Sequence, residues 1–160
     1  KHCNFFSCNM EFNDYWKLIK VPTLVLIGWS VLSFIVSLIS FTLYISIFSN
    51  LTNILLTIAI FGFIGWTVVK DHKGSVKTAA LSGALSGAIS GFIGAVIGIF
   101  MFYLVPSLID FAVSQAGADA EMIRSFMAIG VYVGLITGPL ISGIIGAIVS
   151  SIAGFIAKKV

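Results

Sequence analysis

The chain has 160 residues, 59% hydrophobic and 9% charged, with a mean hydropathy of +1.12. An ordinary globular domain carries about 25% charged residues, so this composition excludes a soluble domain that must cover its own surface. The net charge of +3 is too small to mark a nucleic-acid-binding face.

The apolar residues fall into four runs, each near or above the ~20 residues a helix needs to cross a bilayer. The predicted architecture is all-α, an integral membrane four-helix bundle. A lead-in of residues 1–20 precedes one domain over 21–160, with spans at about 22–48, 51–69, 78–105 and 125–157. No formally charged residue falls inside a span, which argues against a proton relay or a rotary-ring subunit.

The lead-in begins at Lys1 and lacks the apolar stretch of a signal peptide. Processing, a fragment, and a start at Met10 all remain open readings. Asn13 is placed as the cap of a short helix, and Phe12, Tyr15, Trp16, Lys17 and Lys20 suit the headgroup layer. Pro22 is expected to open the first span, since proline is tolerated in a first helical turn. Ser30, Ser33, Ser37, Ser40 and Tyr44 then share one helical face, a spacing that marks a helix–helix seam or, less simply, a polar stripe.

Ser49–Asn53 is a short link, and its Asn50-Leu51-Thr52 sequon lies too near the membrane to expect glycosylation. The second span carries Thr57, Gly62 and Gly65 as its small or polar positions and ends near Trp66. Lys70–Lys77 is the one strongly polar loop. In the third span Gly83, Gly87, Gly91, Gly94 and Gly98 fall within about 80° of helical arc. Such a strip lets another helix approach closely in a bilayer, offsetting the roughly 1 kcal/mol each glycine costs in a helix.

Beyond Pro106, a short interfacial helix is expected, capped by Ser107 and stopped by Gly117. The fourth span has its own strip, Gly130, Gly134 and Gly138, continuing after Pro139 through Ser142, Gly146, Ser150 and Gly154. Glycine-zipper packing between the third and fourth spans is therefore predicted. Pro139 should kink the last span and is its hinge candidate.

With four spans, Lys1, Lys17, Lys20, Lys70, Lys73, Lys77, Lys158 and Lys159 lie on one side, and Arg124 alone on the other. The positive-inside rule puts both termini in the cytoplasm of a multi-pass protein of the cell membrane, plasma or inner. Catalytic chemistry is not expected: no span holds a base beside its serines, paired aspartates, or a lysine-bearing phosphate loop. Cys3 and Cys8, with His2 and His72, form too loose a set for zinc, so neither metal nor cofactor is expected.

The loop Lys73-Gly74-Ser75 leading into Ala80-Leu81-Ser82-Gly83-Ala84-Leu85-Ser86-Gly87 resembles uncharacterised small glycine-rich four-helix membrane protein families of archaea and bacteria, domains of unknown function. The resemblance implies a fold and no activity. The functional expectation is a non-catalytic scaffold or subunit of a membrane assembly; the alternative is a channel or small-solute transporter. The partners expected are the lipid bilayer and a second copy or a larger membrane complex, with no nucleic acid.

Overall fold

A computed structural model describes residues 12–48, 50–117 and 119–160. These form six helices: α1 (Phe12–Ile39), α2 (Phe41–Ile47), α3 (Asn50–Lys70), α4 (Val76–Leu104), α5 (Pro106–Ala116) and α6 (Ala120–Lys159). No strand occurs among the described residues. The all-helical architecture is as expected, and α1, α3, α4 and α6 are each long and apolar enough to cross a membrane. At 1.5 Å per residue, the 40 residues of α6 reach about 60 Å, roughly twice the thickness of a hydrocarbon layer.

Local chemistry explains most helix ends. Ser75 caps α4 by accepting from the Thr78 N–H, and Asp119 caps α6 by accepting from the Glu121 and Met122 N–H groups. Gly117, at φ 60°, stops α5 in the left-handed conformation that glycine adopts freely. Three expectations are corrected. Pro106 itself takes the first position of α5, so Ser107 lies inside that helix and not at its cap. Asn13 lies in the first turn of α1 and not before it. Pro22 does not open the span, because α1 starts at Phe12 and runs through it. A proline removes only its own donor and crowds one carbonyl, which a long helix packed on neighbours tolerates.

The first apolar run is also divided. Ser40 is extended, donates its N–H to Val36 O at 2.9 Å, and turns its hydroxyl to the Leu43 N–H at 3.4 Å. A serine cap inside an apolar run thus ends α1 and starts α2.

α3 and α4 lie between α1 and α6, each packing on both. The start of α1, the end of α3, the start of α4 and the end of α6 gather at one end of the bundle. Asp14 and Lys17 line a cavity there with His72 and Thr78. A Cβ on Gly154 would lie 3.0 Å from Val69 and 3.1 Å from Ala79. This is the lysine-rich end. At the opposite end the Phe41 and Phe111 rings meet edge-on at 5.7 Å, and the Tyr103 and Tyr132 hydroxyls are 2.8 Å apart.

The outside differs from that of a water-soluble bundle, and part of the interior is polar. Thr23, Ser37, Ser82, Ser86 and Ser150 are buried, while Phe126, Ile129, Ile136, Leu140, Ile144 and many other large apolar residues face outward. An apolar cluster of Ile19, Leu26, Phe61, Ile64, Val68 and Ala79 fills the lysine-rich half.

Bare backbone replaces side chains where α4 meets α6. A Cβ on Gly83 would fall inside 3.0 Å of the Gly146 carbonyl, and one on Gly87 inside 3.0 Å of the Ser142 carbonyl. On Gly91 it would lie 2.7 Å from the Gly138 carbonyl; on Gly138 it would lie 3.3 Å from the Gly91 carbonyl. Gly65 of α3 meets the Ser150 backbone just as closely. Gly94, Gly98, Gly130 and Gly134 have nothing within 4 Å. The two helices are therefore in backbone contact from Gly83 to Gly91, and beyond it side chains take over the contact, with Ala95 near Gly138 and the Tyr103 hydroxyl against that of Tyr132. Pro139 itself lies inside an α6 that continues on both sides.

Gly87→Ala should lower stability by about 1–3 kcal/mol, because the added carbon meets backbone that cannot turn aside. Gly98→Ala should instead raise it by about 0.5–1 kcal/mol, the ordinary gain of alanine over glycine in a helix. Thermal unfolding in detergent micelles reads both, and equal effects would contradict the close approach at Gly87.

Candidate functional site

The four long helices line a half-open cavity of about 360 Å³ beside the α4–α6 contact. α1 contributes Leu26, Trp29, Ser30 and Ser33; α3 contributes Asn53, Thr57 and Phe61; α4 contributes Ser90, Gly91 and Gly94; α6 contributes Ser142. None of these residues carries a charge, and six of them offer a hydroxyl or amide side chain.

The serines of α1 hold their own protons locally. Ser30 donates to Leu26 O at 3.1 Å, Ser33 to Ser30 O at 2.8 Å, and Ser37 to Phe34 O at 2.7 Å. Such back-bonding engages the proton and leaves the hydroxyl oxygen able to accept. Ser90 does the same toward Gly87 O at 3.2 Å. The face predicted from Ser30 to Tyr44 therefore splits. Ser30 and Ser33 line the cavity, Ser37 is buried beside it, Ser40 breaks the helix, and Tyr44 stacks between Phe41 and Phe48.

Hydrogen-bonded knots flank the cavity on both sides. Away from the lysine-rich end, the Trp29 Nε1–H donates to Asn53 Oδ1 at 2.7 Å, and Asn53 Nδ2 donates to Phe48 O at 3.1 Å. The Trp29 and Phe48 rings pack at 4.6 Å beside them. Toward the lysine-rich end, Thr23 Oγ1 and Ser86 Oγ are 2.8 Å apart, and Ser150 Oγ donates to Phe61 O at 2.8 Å. All three hydroxyl residues are fully buried. A second cavity of about 420 Å³ opens at the lysine-rich end, lined by Asp14, Lys17, Leu18, Val68, His72, Gly74 and Thr78.

The residues singled out from the sequence sort into three groups. Gly91 and Gly94 line the central cavity; Gly83, Gly87, Gly138 and Gly146 lie at the α4–α6 contact; Gly98, Gly130 and Gly134 border open space. His2, Cys3 and Cys8 lie outside the described residues, and His72 lines the lysine-end cavity. Among the described residues no three His, Cys, Asp or Glu side chains gather as a metal site.

Thr23 was not singled out from the sequence, and Asn53 entered only as the end of a link; Gly65 and Ser150 were named as small or polar positions, and Ser82 and Ser86 only within the glycine-rich repeat. For the hydroxyls of α4 a signal existed: Thr78, Ser82, Ser86 and Ser90 recur at every fourth position, each beside the glycine or alanine that follows it. The cavity's inventory suits an uncharged molecule with hydrogen-bonding groups. It contains no residue able to serve as a general base. No family model matches the chain, and no match was found among curated proteins or solved structures.

Asn53→Ala should cost about 1–3 kcal/mol, because the half-buried Trp29 N–H then loses its acceptor. The double variant Trp29→Phe/Asn53→Ala should lose less than the sum of the two single changes, with a coupling of roughly 1 kcal/mol. Unfolding in detergent measures the cycle, and strict additivity would show that the bond carries no weight.

Proposed function

We propose that the chain is a small multi-pass protein of the cell membrane, plasma or inner, acting as a non-catalytic scaffold or subunit of a membrane assembly. Its termini and Lys70–Lys77 lie in the cytoplasm on this reading, supported by the gathering of lysines at one end of the bundle. The observation that carries it is the surplus of small-residue surface. The contacts of Gly83, Gly87 and Gly91 with Gly138, Ser142 and Gly146 support glycine-zipper packing within the chain. The strips also carry Gly98, Gly130 and Gly134, with nothing against them. Lipid tails gain little from bare backbone, whereas another helix gains close packing there. The covering partner is a second copy or another membrane subunit, with no nucleic acid, metal or cofactor involved.

Native mass spectrometry from nanodiscs should show multiples of the 17.1 kDa chain or a bound membrane protein. Gly98→Leu/Gly134→Leu should reduce that assembly, and a strict monomer with no companion would remove the scaffold reading. Ser75→Cys, in a chain lacking Cys3 and Cys8, should label from outside only after cells are permeabilised; labelling of intact cells would reverse the orientation.

The uncharged cavity favours a second reading, a channel or small-solute transporter. Its support is the polar lining between four helices whose outward faces are almost wholly apolar.

A further inference from the structure

We infer that the hydroxyl face of α4 is a closed conduit for small uncharged polar solutes, joining the two cavities through a gate at Thr23 and Ser86. This rests on the transporter reading and identifies its path, its gate and its class of solute. Thr78, Ser82, Ser86 and Ser90 recur at every fourth position, about 6 Å apart along the helix axis. Thr78 lines the cavity at the lysine-rich end, and Ser90 lines the central one. The conduit thus spans about 18 Å.

Ser82 and Ser86, between the cavities, are fully buried in the half of the bundle filled by Ile19, Ile64 and Ala79. The Ser86 hydroxyl bonds across to Thr23 on α1 at 2.8 Å. Ser82 Oγ is buried with no hydrogen-bond partner. Alanine at 82 would avoid that desolvation, so packing alone gives no reason for a hydroxyl there. A hydroxyl that receives a passing polar group does.

The solute class follows from the lining. No charged residue lines the central cavity, and none lies among Thr23, Ser82 and Ser86, so nothing there offsets the cost of stripping water from an ion. Hydroxyls donate and accept, which suits polyols, amides and water. A volume of about 360 Å³ holds roughly a dozen waters or one such solute with part of its hydration.

The experiment uses the full chain, with Cys3 and Cys8 replaced by serine, in proteoliposomes. Single cysteines at Ser82 and Ser90, and at outward-facing Ile144 as control, are exposed to a small water-soluble methanethiosulfonate. Ser90→Cys should react, Ser82→Cys slowly, and Ile144→Cys least. Adding Thr23→Val, which keeps the side-chain shape and removes the bond, should speed reaction at Ser82→Cys roughly five- to tenfold. Glycerol and urea entry, followed by liposome swelling, should quicken similarly in the Thr23→Val chain, with potassium flux at the protein-free level. Ser86→Ala deletes the same bond from its other partner if Thr23→Val does not reconstitute.

Reactivity at Ser82→Cys that ignores both gate variants overturns the inference, as does Ile144→Cys reacting as fast as Ser82→Cys. Potassium flux rising with glycerol flux overturns the solute class. Solute entry with Ser82→Cys and Ser90→Cys both inert overturns the conduit and leaves the transporter reading standing. A reactive conduit that passes no solute removes the transporter reading and the solute conduit with it.

Discussion

The backbone contact between α4 and α6 constrains everything else in this bundle. Gly83 faces Gly146, Gly87 faces Ser142, and Gly91 faces Gly138, at separations that leave no room for a Cβ on the α4 side. Each helical turn is therefore held to one register, because a slip would drive a side chain into a carbonyl. Once that register is set, Pro139 falls beside Gly138, the contact's partner for Gly91. α6 nonetheless continues through it as one helix. The cavity lies beside this contact, with Gly91 and Gly94 on one wall and Ser142 on another.

In α6 the usual assignment of large and small residues is reversed. In water, bulky apolar groups fill the interior and glycine in a helix is a loss. Here Gly143, Gly146, Ser150, Gly154 and Ala157 are the buried residues of α6, while Ile136, Leu140, Ile144 and Ile148 face out. Helices surrounded by lipid gain little from burying leucine and more from close approach and interhelical hydrogen bonds. Two such bonds cross the packed half of the bundle, Thr23 to Ser86 and Ser150 to the Phe61 carbonyl. They join α1 to α4 and α3 to α6, so all four long helices are tied near one level.

The four long helices were legible in the sequence because length and hydropathy are properties of a segment by itself. The glycine stop at 117 is equally local; the caps at Ser75 and Asp119 are local too but were not read from the sequence. What else escaped depends on the neighbours. Pro22 and Ser40 look alike as breakers, yet α1 runs through the proline and stops at the serine. The difference lies in the Ser40 side chain, which offers the next helix an acceptor for its first turn. In the same way, the Gly83–Gly98 strip reads as one continuous seam on a helical wheel. Only the course of α6 decides which glycines it covers. The cavity was less legible still, since Trp29, Asn53, Thr57 and Ser142 come from three helices and share no pattern along the chain.

The hydroxyls of α4 were hidden for a different reason: they sit beside the glycines. Thr78-Ala79, Ser82-Gly83, Ser86-Gly87 and Ser90-Gly91 form a four-residue repeat in which two neighbouring positions do different work. Successive residues point about 100° apart on a helix. Ala79, Gly83, Gly87 and Gly91 therefore turn to α6, where they meet Gly154, Gly146, Ser142 and Gly138. The hydroxyl positions turn elsewhere, Ser86 to Thr23 on α1 and Ser90 to the cavity. Gly94-Ala95 keeps the alternation, with Gly94 on the cavity wall and Ala95 near Gly138. One repeat thus docks the helix on one neighbour and lines the interior toward another. Neither strip can shift without moving the other, so a change in the α4–α6 contact is necessarily a change in the polar face between α4 and α1.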